Sequence, residues 1–387
     1  MRTNILSSLS LLLFFFSFSF FACSQPGGKH KIFHELTEKS EKYTPTQYIT
    51  DTTTFASAPK NVIFFIGDGM GPAQLFAALT ANGGDLYMKQ MQVLGMSQTQ
   101  SASDYVTDSA AGGTALSSGE RTTNGMIGMR PDSTRMTSML ELSERAGKAT
   151  GLVATVVVTH ATPASFIAHV PDRNMYEEIA TFYPKSGIDI FIGGGKKHFT
   201  ERADGRNLIE EMQTEGYRFY DDIATSQGDK EMKQAILAYP ESAPVAAERK
   251  ESLPEYVGKA LDVLSRSENG FFVMVEGSQI DYGGHENNLN KVVGEALDMD
   301  KALGVALEFA ARDRETLVVV TADHETGGLV LHGGDMEKGD LKATFSTRGH
   351  SAVMVPVYAV GPGAEAFAGI YKNTEVFEKI VKALKLK

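Results

Sequence analysis

From Asn61 to the C-terminus, short apolar runs alternate with amphipathic stretches. The runs NVIFFIG (61–67), GLVATVVV (151–158), DIFIGG (189–194), FFVMVEG (271–277), TLVVVTA (316–322) and VMVPVYAVG (353–361) are almost continuous and rich in β-branched and aromatic residues. A strand with one wet face alternates with period two. Runs without that alternation suit strands covered on both faces, as in a parallel sheet between helices. Helical spacing is found between them, around 72–82, 109–118, 136–147, 174–182, 206–215, 253–267, 288–312 and 374–386. The pattern predicts an α/β fold with a mixed, mostly parallel central sheet and helices on both faces, forming one catalytic domain over 61–387. The polar stretch 220–252 reads as a surface insertion.

Upstream, the pattern changes. Met1–Ala22 has Arg2 at its start and the apolar stretch LLLFFFSFSFF (11–21), which is short for a membrane span and suits an export signal. Cys23 follows directly, and Phe-Phe-Ala-Cys resembles a bacterial lipoprotein cleavage site with Cys23 as the lipidated first mature residue. A plain signal peptide cut near Ala22 is the alternative. Either predicts an exported, periplasmic protein, and the lipoprotein reading adds a lipid on Cys23 as its only membrane contact. Residues 23–60 are polar without a strong period and read as a tether or surface arm.

The 37 basic and 48 acidic residues give a net charge of −11, which argues against nucleic acid as a specific partner. A single cysteine excludes an intrachain disulfide framework and any cysteine-rich zinc module.

Open α/β sheets bind ligands beyond the carboxyl ends of their strands, so candidate chemistry is sought there. The first run ends IGDGMG, where glycines leave the Asp68 carboxylate open to a ligand; a helix-capping role is equally compatible. The run 271–277 ends EGSQIDYGGH. Glu276 at the end of an apolar strand is costly to bury alone, and Asp281 and His285 are spaced to share a cation. The run 316–322 leads into Asp323-His324-Glu325. Neighbours within a strand face opposite ways, so both can face one metal only if the strand breaks, which Gly327-Gly328 would permit. His350 adds another imidazole at a sheet boundary, and histidine with aspartate is a zinc or magnesium donor set. Ser109, in YVTDSAAGGTA, opens a helix whose N-terminus favours an anion, though capping by Asp108 or Ser109 explains that segment as well. Arg173 is either a solvated helix-end arginine or a bidentate phosphate clamp.

Together these blocks (IGDGMG, YVTDSAAGGTALSSGERTTNG, THATPASFIAHVPDRN, VEGSQIDYGGH, VTADHETGG and GHSAV) resemble the alkaline phosphatase family in identity and order, over essentially Asn61 to the end. The resemblance implies hydrolysis of small phosphate monoesters through a phosphoserine at Ser109, with two zinc ions and one magnesium ion. It assigns Asp281, His285 and His350 to one zinc, Asp68, Asp323 and His324 to the other, and Asp68, Thr162 and Glu276 to magnesium. Arg173 matches the arginine that grips phosphate. Two positions depart from the best-known bacterial pattern: His160 replaces an aspartate serving the magnesium water shell, and Tyr282 replaces a lysine that reaches phosphate through water. Both are taken as substrate-side residues, and both leave the third metal's identity open. Relatives are often dimers, so a homodimer is among the assemblies implied.

Rival chemistries are weaker. Typical sulfatases make their nucleophile from an active-site cysteine, and the only cysteine here is Cys23 in the leader. Diesterases generally lack the combination suggested by Arg173, Thr162 and Glu276. A cofactor-independent phosphoglycerate mutase conflicts with the export signal. A non-catalytic exported metal- or phosphate-binding lipoprotein has no use for Ser109 beside a full ligand set. GGGKK (193–197) lacks the Lys-Ser/Thr ending of a nucleotide loop.

Overall fold

Every residue of the strands Asn61–Gly67, Ile190–Gly194, Phe271–Gly277 and Thr316–Thr321 is buried. Successive side chains leave a strand on opposite faces, so full burial requires two cores, and the computed structural model shows both. Ile63, Phe65, Val273, Val275, Val318 and Val320 pack on one side with residues of the helices Leu253–Leu264 and Leu289–Asp313. Val62, Phe64, Ile66, Phe272, Met274, Leu317 and Val319 pack on the other with residues of Ser109–Ser118, Met139–Arg145 and Asn373–Ala383. The structure describes residues 32–387. The leader Met1–Ala22, Cys23 and the beginning of the 23–60 arm lie outside the described residues.

Among the described residues the central sheet has ten strands, in the order Gly369–Lys372, Val93–Gln98, Val355–Val360, Thr316–Thr321, Asn61–Gly67, Phe271–Gly277, Ala149–Val157, Ile190–Gly194, Gln234–Tyr239 and Arg218–Tyr220. All pairings are parallel except those of Val355–Val360, which runs against both neighbours. The sheet is therefore mixed and mostly parallel, with helices on both faces. Reversal of that one strand puts the residues before it, including His350, at the edge where the parallel strands end.

The expected helices all form within a few residues of their predicted limits. The 220–252 stretch is a correction: it contributes Gln234–Tyr239 to the central sheet, next to the short edge strand Arg218–Tyr220 that begins just before it. Residues 243–251 are then fastened to the body. Gln279 Nε2 donates to the carbonyls of Ala243 and Pro244, and the buried Arg249 guanidinium pairs with Glu295 and with Asp298 at 3.1 Å. The segment 33–60 also runs against the body. His34–Glu35 pairs with Asp340–Phe345, and the Tyr43 hydroxyl donates to Asp300 at 2.5 Å. No helix among the described residues is long and apolar enough to cross a membrane.

Candidate metal centre

Strand register sets the first part of the site. Ile66 pairs with Glu276 and with Thr321 on the two flanking strands, and Glu276 pairs in turn with Ala154. Asp68, Glu276 and the residues after Thr321 and Val157 therefore leave the sheet along one edge. The strand that carries Asp323 and His324 ends at Thr321, before either residue. This break lets the two adjacent side chains point the same way. Gly69 makes the accompanying turn at φ +71°, where a Cβ would lie 2.9 Å from the Asp281 backbone. Glycine is required there by both conformation and space.

Beyond Phe271–Gly277, the chain enters the helix Gln279–Glu286, which carries Asp281, Tyr282 and His285. Asp281 and His285, four residues apart, meet on one face: His285 Nε2 is 3.3 Å from Asp281 Oδ1. His350 Nε2 approaches from the segment just before the reversed strand, 3.2 Å from His285 Nε2 and 3.6 Å from Asp281 Oδ1. His324 Nε2 lies 3.5 Å from Asp68 Oδ1 and 3.2 Å from Asp323 Oδ2, and its ring stacks on that of His350 at 3.5 Å.

Three overlapping groups, Asp281/His324/His350, Asp68/Asp323/His324 and Asp68/His160/Glu276, each bring their potential ligand atoms within 4.8 Å of one another. Asp68 and His324 belong to two groups each, so the three positions are contiguous. Thr162 joins the third through its hydroxyl, 3.4 Å from Asp68 Oδ2. His285 lies outside these triads but touches both Asp281 and His350.

Ser109 is the first residue of the helix Ser109–Ser118 and is almost fully buried. Its Oγ is 3.1 Å from His324 Nε2, which places the hydroxyl against the cluster. Gly112 lets this helix approach closely, since a Cβ there would lie 3.2 Å from Asp323 Cβ. Asp108 caps the helix by accepting from Ala111 N at 2.9 Å. Its other oxygen accepts from Gly125 N at 3.0 Å and from Arg173 at 3.1 Å. Arg173 also lies 3.5 Å from His160 Nε2. Tyr282 stands edge-on to His160 with ring centres 6.1 Å apart, and Lys291 Nζ sits 5.2 Å from the Tyr282 ring centre. All of the sequence-predicted site residues are thus brought to this edge.

A metal fits this donor set on the structure's own terms. Asp68, Glu276 and Asp323 are fully buried, and each uses one oxygen on the protein: Thr162 reaches Asp68, Ser278 donates to Glu276 at 2.6 Å, and Gly69 N donates to Asp323 at 3.2 Å. Among the described residues, the second oxygen of each has no hydrogen-bond partner, and neither does His160 Nδ1. Burial, reinforced by mutual repulsion, pushes the carboxyl pKa values of Asp68, Glu276 and Asp323 upward. Burial holds His324 and His160 in the neutral form, with His160 pushed down to about 4. Buried anions crowded beside neutral imidazoles are unfavourable unless cations neutralise them. Neutral nitrogen and carboxylate oxygen are also the donors that zinc and similar ions take.

Sequence reasoning treated Asp108 as a capping residue only. Its second contact, to Arg173, is set by tertiary packing and had no signal in the sequence. The acceptors behind the candidate ligand histidines were equally hidden: His285 Nδ1 faces the Arg348 carbonyl at 2.5 Å, and His350 Nδ1 faces the Thr107 carbonyl at 2.8 Å.

A parallel-sheet edge carrying contiguous metal positions, a buried serine and a held arginine defines a metal-dependent phosphoric monoester hydrolase, and comparison with known proteins bears this out. The alkaline phosphatase family model matches residues 59–344. Alkaline phosphatase 3 of Bacillus subtilis is 32% identical, covering 84% of this chain and 89% of its own length. The Escherichia coli alkaline phosphatase is 31% identical over 85% of this chain and 86% of its own. The solved alkaline phosphatase of the Antarctic bacterium TAB5 is 40% identical and superposes with a TM-score of 0.81, covering 86% of this chain and 99% of that one. The chain belongs to the alkaline phosphatase family.

Proposed function

We propose that this chain hydrolyses phosphate monoesters in two displacements through a phosphoserine at Ser109, with zinc at two positions and a third cation beside them. The observation that carries the reading is the Ser109 hydroxyl, 3.1 Å from His324 Nε2 and against the metal groups that share Asp68 and His324. His324, Asp323 and Asp68 would hold one zinc, and Asp281, His285 and His350 the other. Bound there, the cations supply Lewis acidity that eases ionisation of the attacking hydroxyl and stabilises the departing oxygen.

The protein's own groups do the rest. Arg173 binds two phosphate oxygens through its planar guanidinium, oriented by Asp108. The N-terminal amides of the Ser109–Ser118 helix favour the incoming anion. Ser109 Oγ attacks phosphorus, the bond to the ester oxygen breaks, and the alcohol departs with a proton. Water then attacks the phosphoserine, releasing inorganic phosphate and restoring Ser109. A Ser109→Ala variant is expected to lose turnover while retaining metal, and acid quenching of the wild type with labelled substrate should trap label on Ser109. Full turnover by the alanine variant would overturn the reading.

For the third position, Asp68, Thr162 and Glu276 make an oxygen-rich site suited to magnesium. One observation favours zinc instead: the His160 imidazole belongs to that triad, and neutral nitrogen is a poorer donor to magnesium than to zinc. Solved variants of the TAB5 enzyme in which a histidine is replaced by glutamate or aspartate are described with magnesium in the M3 site, which supports the same logic. Elemental analysis of the wild type and of a His160→Asp variant decides between the two metals.

Export, lipidation of Cys23 and a homodimer complete the proposal, on the sequence grounds given above. Membrane fractionation of the wild type against Cys23→Ser tests the anchor, and light scattering tests the dimer.

A further inference from the structure

Thr326 touches both halves of the proposed two-zinc site. Its hydroxyl lies 2.5 Å from Asp281 Oδ1 and 3.2 Å from His324 Nδ1. It is fully buried, and its backbone is fixed independently of these contacts. Thr326 N donates to the Gly69 carbonyl at 3.2 Å, its own carbonyl accepts from Gln74 Nε2 at 2.8 Å, and it pairs with His350 in a two-residue antiparallel ladder. The side chain is caged as well. A Cβ on Gly69 would lie 2.7 Å from Thr326 Oγ1, and one on Gly284 would lie 2.7 Å from its Cγ2. A β-branched residue in such a cage is restricted in its side-chain rotation.

A threonine hydroxyl has one proton to give and lone pairs to receive. A ligating carboxylate only accepts, so at the shorter distance the proton goes to Asp281. The oxygen then accepts, and the donor that faces it is His324 Nδ1–H. That choice leaves the His324 Nε2 lone pair directed at Ser109, Asp68 and Asp323. The other two ligand histidines reach the same tautomer through backbone carbonyls, Arg348 for His285 and Thr107 for His350. His324 alone uses a side chain for this, and that side chain is also bonded to a ligand of the other position.

We infer that Thr326 is a positioning residue that fixes the His324 tautomer and ties it to Asp281, so that the two zinc positions are organised as a pair. The inference rests on the reading of Asp281 and His324 as ligands given above.

The test replaces Thr326 with valine, which keeps the shape and removes the hydroxyl, and with serine, which restores it. Purified proteins are stripped of metal, checked for folding by circular dichroism, and titrated with cobalt(II) and with zinc against a competing chelator. Partners of this kind are worth about 10–100-fold in metal affinity. Thr326→Val is therefore expected to bind about that much more weakly and with an altered cobalt absorption spectrum. Thr326→Ser should return to within a few-fold of wild type in both. If the valine variant does not fold, Thr326→Ala makes the same deletion with less bulk. Either variant binding metal with wild-type affinity and spectrum would overturn the inference. A wild-type protein that takes up no cobalt or zinc would instead overturn the ligand assignment, and the inference with it; that failure belongs to the parent chain and is distinguishable from a silent Thr326 variant.

Discussion

Asp108 holds Arg173 with one carboxylate oxygen while its other oxygen caps the helix that begins at Ser109. The helix that carries the proposed nucleophile and the arginine proposed to grip phosphate are thereby oriented by a single side chain. Hydrogen bonds to charged groups contribute about 1.5–3 kcal/mol. Asp108→Ala is expected to weaken competitive inhibition by inorganic phosphate by roughly tenfold or more and to raise KM. The lost cap should also cost about 1 kcal/mol of stability. Inhibition constants and denaturant melts on the same preparation check both; an unchanged phosphate affinity would show that Arg173 does not depend on Asp108.

Removal of metal should abolish turnover and lower the melting temperature together. Without cations, Asp68, Glu276 and Asp323 repel one another in a buried setting that already pushes their pKa values up. A ligand that binds only the folded state stabilises it by mass action. Calorimetry and assays after exhaustive chelation test this, and undiminished turnover by verified metal-free protein would contradict it.

The buried guanidinium of Arg249 is matched by Glu295 and Asp298 on the long helix Leu289–Asp313. Removing one partner from a buried ion pair leaves an uncompensated charge, at a cost of about 3–5 kcal/mol. Glu295→Ala should lie near the low end, because Asp298 remains, and Arg249→Ala should be at least as costly. Equilibrium unfolding measures the loss. A change below about 1 kcal/mol would mean that the 243–251 segment is not held by this pair.

Asp300 carries a pH dependence of opposite sign to the common carboxylate case. Burial pushes its pKa up from 3.8 to about 6, against the hydrogen bonds it accepts from the Tyr43 hydroxyl and the amides of Met88 and Tyr87. Between those values the folded state binds more protons than the unfolded state, so this group's contribution falls as pH rises. The loss is complete above about pH 6 and amounts to roughly 3 kcal/mol. Unfolding free energies measured between pH 4 and 7 should show a smaller decline in Asp300→Asn than in wild type. Parallel curves would refute the assignment.

The central strands were readable because helices cover both faces, which makes their sequences continuously apolar. Val93–Gln98 (VLGMSQ) and Gly369–Lys372 are partly exposed near one side of the sheet and carry no such run. Gln234–Tyr239 was hidden inside a polar stretch whose neighbours are loops. At the site, the residue type and position of each candidate ligand were legible, since carboxylates and imidazoles after apolar strands stand out. The break at Thr321 that aligns Asp323 with His324 was foreseeable from Gly327-Gly328. The second contact of Asp108 and the atoms behind each imidazole were not, because they join segments far apart in the chain and depend on packing alone.

The reversed strand Val355–Val360 sits between Val93–Gln98 and Thr316–Thr321, so it joins two segments that lie far apart in the chain. His350 lies a few residues before that strand. A chain cut short before His350 keeps every residue of the Asp68/Asp323/His324 and Asp68/His160/Glu276 groups and loses one of Asp281/His324/His350. Truncation there would thus spoil one candidate position while the residues of the other two remain.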